Sequence, residues 1–372
     1  MKIQEKYLLR SLELAKNGLG LTYPNPMVGC VIVVDDQIIG EGWHKKAGEG
    51  HAEVRAIESV ENKELLNKAT VYVSLEPCAH FGKTPPCSDL LISYKVPRVV
   101  IASVDPFKEV RGLGIQKLQR AGIEVSYGFF PQQAFELNKR FFTYHLSKRP
   151  YITLKYAKSK DGFLDQIRSV NHLDDARPNW ISNSLSKVHV HKFRALEQAI
   201  LVGKNTILKD NPTLTTRLWG GTNLLRVIVD RNLEIPLEYS IFNDNVPTLI
   251  FTEKSALVSG PISDQVEYVV MDTSVDVNSF VLSYLFDLGV QSLIVEGGAQ
   301  VLNSYLNQGL WDEIHEYMGA SKFDSGISLD HFEGSLKQSL LFRDNSFRVY
   351  KPLNNSVYES FLNTQENIEI GK

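Results

Sequence analysis

GEGHAEVRAI, residues 48–57, and SLEPCAHFGKTPPC, residues 74–87, decide how the first half of this chain is read. Each brings a metal-ligating side chain to a point where a strand or loop is expected to run into a helix. His51, Cys78 and Cys87 form a nitrogen–sulfur set suited to zinc, and a helix start beside Cys78 favours its thiolate through the positive end of the dipole. Three protein ligands leave the fourth tetrahedral position to water, and zinc lowers the pKa of such a water from about 15.7 to about 7. Glu53, two residues past His51, can take that proton without ligating the metal. The competing reading, a polar helix-start His and two buried apolar cysteines, requires these residue types to coincide by accident. Cys30, inside the apolar run VGCVIVV of residues 28–34, reads as a core residue.

Outward from these segments, strand-like apolar runs alternate with helical stretches, which is an α/β pattern. A first helix is expected over 5–17, stopped by Asn17-Gly18. Strands follow at 28–34 and 37–43 across the turn Asp35-Asp36, then at 71–75 and 99–103, with helices after His51, Cys78 and Gly114. Over 138–150 the periodicity fades into NKRFFTYHLSKRP, whose proline disfavours helix before it. A boundary there gives domains of 1–146 and 147–372, in keeping with 372 residues being long for one core. The second half resumes the alternation, with strands at 151–156, 199–202, 225–229, 248–251 and 293–296. Helices fit 183–196, 277–288 and 300–307, and strand-like runs at 313–318, 347–351 and 357–362 close the chain.

Composition removes several classes. A hydrophobic fraction of 43% and a charged fraction of 22% are ordinary for a globular protein. The longest apolar runs are strand length, short of the 18 or so residues a membrane span needs. The N-terminal stretch lacks the apolar segment and cleavage site of a signal peptide, so a cytoplasmic location is expected. Three cysteines make no disulfide framework. A net charge of −3, a pI near 6.3 and the lack of a Lys/Arg block leave no footprint for a nucleic-acid partner. A small-molecule substrate and a homo-oligomer are the expected partners, with no membrane.

The order H-x-E followed by P-C is that of zinc-dependent nucleobase deaminases. Those usually space their cysteines as C-x-x-C, whereas eight residues separate Cys78 from Cys87. With TYPNPMVGC at 22–30, HAEV and LEPCAHFGKTPPC, the chain closely resembles the bifunctional riboflavin-biosynthesis deaminase/reductase family. LKYAKSKDG, NWIS, ILVGKNTILKDNPTLTTR and VEGGA resemble the motifs of that family's reductase half, in the family's order. The resemblance implies a cytidine-deaminase-like zinc domain followed by a dihydrofolate-reductase-like domain that uses NADPH. It also implies deamination of a diaminopyrimidine ribosyl phosphate, then reduction of the ribose to a ribityl chain. The absence of G-x-G-x-x-G after a strand agrees, since a Rossmann site needs it.

The same resemblance assigns roles residue by residue. Glu53 is the proton shuttle, and Asn25 reads the pyrimidine with an amide that offers donor and acceptor, unless it only makes the turn. His80, Lys83 and Thr84 suit a phosphate or ribose contact, with Lys83 otherwise a solvated charge, and His44 is a further candidate for substrate. In the second half Lys155 polarises the electrophile, or else points to solvent, and Asp161 contacts the ribose. Arg194 and Arg217 hold the substrate phosphate, Arg194 otherwise capping its helix, and Leu214 and Glu296 also contact substrate. Ala157, Trp180, Thr206 and Asp210 contact the cofactor, and the amides of Gly297 and Gly298 meet one of its phosphates.

Two departures stand out. Pro178 replaces a small polar residue two before Trp180, after the longer loop DQIRSVNHLDDARP, so a substrate hydrogen bond is lost that Asn179 or Arg177 is left to replace. Phe107 stands where an Asn is usual. The alternatives to the bifunctional enzyme are a deaminase of another nucleoside or base with a non-catalytic C-terminal half, and a ligand sensor with structural zinc.

Overall fold

In the computed structural model, which describes residues 5–81, 85–107, 111–169, 173–255 and 264–366, strand β1 (Gly29–Val34) is buried on both faces. Val31 and Val33 pack with Tyr7, Leu8, Phe135 and Phe142, whereas Cys30, Ile32 and Val34 pack with Ala52, Ala56, Ile57 and Leu91. A strand apolar on both sides must be covered on both, and this dictates the layers of the first of two compact units. That unit runs to Lys148 and takes in the last helix of the chain; the second spans Arg149–Asn355.

The sheet of the first unit adds β2 (Gln37–Trp43), β3 (Thr70–Val73), β4 (Arg98–Ile101) and β5 (Glu124–Tyr127) in the order β2-β1-β3-β4-β5. β1 is antiparallel to β2 and β3, and β3, β4 and β5 are parallel. Asp35 and Asp36, at φ 50° and 63°, make the two-residue turn with both residues left-handed that suits the twist of a hairpin. The helices are α1 (Glu5–Ala15), α2 (Ala52–Ser59), α3 (Cys87–Ser93), α4 (Leu113–Arg120) and α5 (Pro131–Ser147). α1 and α5 cover the Val31 face, and α2, α3 and α4 cover the other. α2 lies so close to β2 that a Cβ on Gly42 would sit 2.4 Å from the Ala56 nitrogen. That contact fixes the height of His51 and Glu53 above the sheet.

Three expectations are corrected here. Residues 131–147 form a helix where the periodicity fades, because a break at Asn138 (φ −114°, ψ 25°) divides its apolar faces. The buried Asn138 amide accepts from Met27 N at 2.8 Å and donates to Met27 O at 2.9 Å, so the polar residue in the helix braces the Pro-Asn-Pro corner. Residues 357–362 are helical, not a strand: in the final helix (Ser356–Glu366) Val357, Phe361 and Thr364 are buried, at helical spacing, and Phe361 stacks on Phe142. That helix therefore leaves the expected second domain and packs in the first unit's core.

The second unit is built on a nine-stranded sheet. Its strands are β6 (Tyr151–Lys158), β8 (Ala199–Gly203), β9 (Leu225–Val229), β10 (Thr248–Thr252), β11 (Val266–Val270), β12 (Ser292–Gly297), β13 (Glu313–Met318), β15 (Ser335–Phe342) and β16 (Asn345–Lys351). β7 (Phe163–Asp165) and β14 (Ile327–Ser328) pair separately. The order is β11-β10-β9-β8-β12-β6-β13-β16-β15, parallel from β11 to β13 and antiparallel through the β15–β16 hairpin. Helices α6 (Ser184–Arg194), α7 (Lys204–Asp210), α8 (Val277–Asp287) and α9 (Ala299–Asn307) connect the strands, and the sheet's two faces bury separate cores. β15 escaped the sequence reading because it is an edge strand exposed along most of its length, so no buried face patterns it. Along the carboxyl ends of β6, β8, β9 and β12 runs a cleft of about 1310 Å³, the place where open parallel sheets bind ligands.

Candidate functional site

In the first unit His51 caps α2, so its ring leaves the chain just before the helix starts. Its Nδ1 lies 3.6 Å from Cys78 Sγ and 3.4 Å from Cys87 Sγ, and the three ligand atoms all lie within 4.8 Å of one another. Bonds of about 2.3 Å to sulfur and 2.0–2.1 Å to nitrogen at tetrahedral angles put the N and S atoms about 3.5 Å apart, so the triangle fits zinc. One detail differs from the sequence reading: the helix starts at Cys87, not after Cys78, because the loop between them ends in Pro85-Pro86 and Pro86 is the residue before the first turn. The Cys78 sulfur accepts the Cys87 amide at 3.2 Å. A hydrogen bond from the Cys87 thiol, with help from His51 and against the cost of burial, holds Cys78 down to about 4, and the same pairing pushes Cys87 up. A divalent cation at this point favours both thiolates.

Glu53, in the first turn of α2, is 3% exposed, and its Oε2 has no hydrogen-bond partner among the described residues. Burial, then the charge of Cys78, pushes this carboxyl up to about 7. A buried carboxylate oxygen beside three ligands, without a partner among the described residues, fits a group that serves a metal-bound ligand rather than the fold. His44, its ring centre 5.4 Å from that of His51, is buried, with Nδ1 3.3 Å from Gly50 O and Nε2 3.1 Å from Asn25 Nδ2. A carbonyl can only accept, so Nδ1 carries the proton and Nε2 accepts from Asn25, which fixes which way the Asn25 amide faces. Burial lowers the His44 pKa, which keeps that neutral tautomer.

Glu76, passed over in the sequence, is the buried hub of this end of the sheet. Its carboxylate accepts the amides of Asp105 (3.2 Å), Gly112 (3.0 Å), Gly114 (2.9 Å) and Ile115 (3.3 Å), tying the start of α4 to the segment that carries Cys78. An acid two residues before a ligand in an apolar run was the available signal. His80 is exposed on the segment after Cys78, and Lys83 and Thr84 lie outside the described residues. The Phe107 amide donates to Asp105 at 2.9 Å and its ring packs 5.0 Å from His145.

In the second unit Lys155 on β6 and Glu296 on the adjacent β12 meet with Nζ 3.4 Å from Oε2. Arg194, the last residue of α6, grips the same carboxylate with Nε at 2.9 Å and Nη2 at 2.8 Å, and gives Nη1 to Thr215 O at 3.2 Å. Burial works to raise the Glu296 pKa, but Arg194 and then Lys155 hold it down to about 2. For Lys155 burial dominates and lowers its pKa, with Glu296 opposing. Arg194 also lines the cleft, so its guanidinium pairs with Glu296 at the place where a phosphate contact is expected, and a guanidinium at this depth requires an anionic partner.

This cluster has a pH consequence. A carboxyl at about 2 when folded, against an ordinary value of 4.5, stabilises the second unit above about pH 4.5, and the contribution disappears as pH falls through about 2. Unfolding followed across that window should show a shallower acid dependence in Glu296→Gln than in the parent, and identical acid limbs would refute the assignment.

Lys155, Ala157, Trp180, Thr206, Asp210 and Glu296 all line the cleft, as do Leu214, Arg217 and Gly298. Asp161 does not. Its carboxylate accepts from Ser159 Oγ at 2.6 Å and from the amides of Phe323 and Asp324, bracing the turn after β6. The Gly298 amide donates to Thr206 Oγ1 at 2.6 Å, and Gly297 holds φ 126°, a conformation that favours glycine, where β12 turns into α9. The loop carrying Leu214 (φ 53°) and Arg217 is held from below by the buried Arg226, whose Nη2 reaches Thr213 O at 2.5 Å, and by His191, which accepts the Arg217 amide at 3.2 Å. Pro178 and Asn179 line the cleft, but the Asn179 amide donates to Asp165 at 2.7 Å. The size of the cleft, the glycine turn and the mixture of cations and a carboxylate at one end fit a dinucleotide with a small substrate beside it.

Comparison with known proteins covers both units. The family model for the cytidine and deoxycytidylate deaminase zinc-binding region matches residues 1–103, and that for the RibD C-terminal domain matches 150–323. A riboflavin biosynthesis protein RibD of Aquifex aeolicus is 38% identical over 92% of this chain and 94% of its own length. Among solved structures, Acinetobacter baumannii RibD superposes with a TM-score of 0.83 at 31% identity, covering 94% of this chain and 99% of that one. A diaminohydroxyphosphoribosylaminopyrimidine deaminase/5-amino-6-(5-phosphoribosylamino)uracil reductase of Thermotoga maritima gives 0.81 at 36% identity, covering 94% and 98%.

Proposed function

Since the chain belongs to the bifunctional riboflavin-biosynthesis deaminase/reductase family, we propose that its two units act in sequence on one pyrimidine ribosyl phosphate. The first hydrolytically deaminates 2,5-diamino-6-ribosylamino-4(3H)-pyrimidinone 5′-phosphate. The second reduces the ribosyl group of the resulting 5-amino-6-ribosylaminouracil 5′-phosphate to ribityl. The zinc-dependent first half and NADPH-dependent second half are properties of the family, and the similarity runs across both units, against a non-catalytic C-terminal module.

The observation that carries the reading is the His51, Cys78 and Cys87 triangle with the orphaned Glu53 oxygen beside it. Zinc, when bound there, supplies an acidified water. Glu53 Oε2 is placed to hold a proton between that water and the departing amine, and Asn25, oriented by His44, would present a fixed amide to the pyrimidine. In the cleft Ala157, Trp180, Thr206, Asp210, Gly297 and Gly298 would hold NADPH, which would supply a hydride there. Lys155, held by Glu296, would polarise the carbon to be reduced, while Leu214 and Glu296 would contact the substrate and Arg194 and Arg217 would take its phosphate.

No described helix is long and apolar enough to cross a membrane. A cytoplasmic homo-oligomer without a nucleic-acid partner is in keeping with the pI near 6.3 and with Leu336 and Leu341 exposed on the edge strand β15. The test is to incubate zinc-loaded protein with the diaminopyrimidine ribosyl phosphate, with and without NADPH, and to weigh the products. Exchange of an amine for oxygen is expected without NADPH, followed by a gain of two hydrogens when it is added. Reduction that precedes deamination, or no change in mass, would overturn the proposed order or substrate.

A further inference from the structure

The longer loop after β7 brings one residue into the cleft that the family motifs do not include. Arg168 lines the cleft and is 19% exposed in its side chain. Its Nε donates to Asp165 Oδ2 at 3.0 Å, its Nη1 to the carbonyls of Arg177 (2.6 Å) and Lys209 (3.2 Å), and its Nη2 to Asp210 Oδ1 at 2.5 Å. A guanidinium has five N–H donors, so at most one is left for any ligand. This saturation argues against a direct phosphate anchor.

What Arg168 joins is more informative than what it exposes. Asp210 and Lys209, at the end of α7, both line the cleft. Asp165, which also accepts the Asn179 amide at 2.7 Å, ends β7 and lines the cleft as well, and Asn179 immediately precedes Trp180. One guanidinium therefore links the two chain segments on which cofactor contacts are assigned, the end of α7 and the stretch before Trp180. The acceptors at the end of α7 suit a cation, because the negative end of the helix dipole lies there.

We propose that Arg168 is a positioning residue for cofactor binding, holding Asp210 and, through Asp165 and Asn179, the Trp180 segment at the separation that receives NADPH. The proposal rests on the reading of the cleft as the NADPH site. It makes cofactor affinity, and not the chemistry at Lys155, the quantity that depends on Arg168.

The experiment uses the full-length protein and titrates NADPH against wild type, Arg168→Ala and Arg168→Gln. Binding is followed by energy transfer from tryptophan to the reduced nicotinamide, and kcat and KM are then measured for reduction. Both variants should raise the NADPH Kd and KM by roughly tenfold, the scale of one lost charged hydrogen bond. At saturating NADPH kcat should stay within about twofold of wild type, and the deamination rate should not change. A lower thermal midpoint with an unchanged Kd, in whichever variant folds, would make Arg168 purely structural and overturn the proposal. A fall in kcat with unchanged Kd would overturn it too. Absence of NADPH binding by the wild type would instead remove the reading of the cleft.

Discussion

Glu53→Gln is expected to keep its zinc and to lose deamination by about 10²–10⁴-fold, the usual worth of a placed proton shuttle. The substitution is nearly isosteric and leaves His51, Cys78 and Cys87 untouched, so the metal triangle survives. What disappears is the capacity to hold a proton at Oε2, the carboxylate oxygen that is buried without a partner among the described residues. A side-chain amide still fills the space and forms hydrogen bonds, but it cannot accept a proton from water and return it to the departing nitrogen. Metal content by atomic absorption, read beside the deamination rate, separates the two roles. Reduction of independently prepared deaminated substrate should proceed at the parent rate and reports on folding. Loss of zinc in this variant would make Glu53 a ligand or a structural group, and near-normal deamination would remove the shuttle altogether.

The zinc site was legible because its parts are short-range. Glu53 follows His51 by two residues at the start of a helix, and the cysteines bracket one loop, so local sequence determines their spacing. The elements that depend on distant partners were not. The final helix reads as a strand in isolation because six residues of mixed apolar character fit either period; only the packing of Val357 and Phe361 against α5 selects the helical one. Asn138 looks like the end of a pattern, yet it is the brace for Met27, more than a hundred residues away. Arg194 carries the side chain expected of a phosphate ligand, and its partner Glu296 lies on another strand, so the pairing appears only when α6 and β12 come together. Arg168 shows the same dependence within an extended loop, where nothing in the local sequence marks it as a hub.

Lys155→Ala should abolish reduction selectively. A loss on the order of 10²–10³-fold is expected, the cost of removing one preorganised charged donor from a partly buried site. Lys155 is placed for that role by opposing forces: burial disfavours its charge, and Glu296 at 3.4 Å restores it. The ammonium is therefore held without being neutralised by a close pair, in contrast to Arg194, whose fork binds Glu296 at 2.8 and 2.9 Å. If the charge of Lys155 acts on developing negative charge at the reacting carbon's substituent, kcat falls while the NADPH Kd stays near that of the parent. If Lys155 only anchors Glu296, Glu296→Gln should lower the rate as much as Lys155→Ala, and the double variant should be no worse than either. A larger loss for Lys155→Ala than for Glu296→Gln, with deamination unchanged in both, is the expected pattern. Lys155→Arg should not restore the rate, because a planar fork cannot replace a compact ammonium packed 5.9 Å from the Tyr317 ring centre.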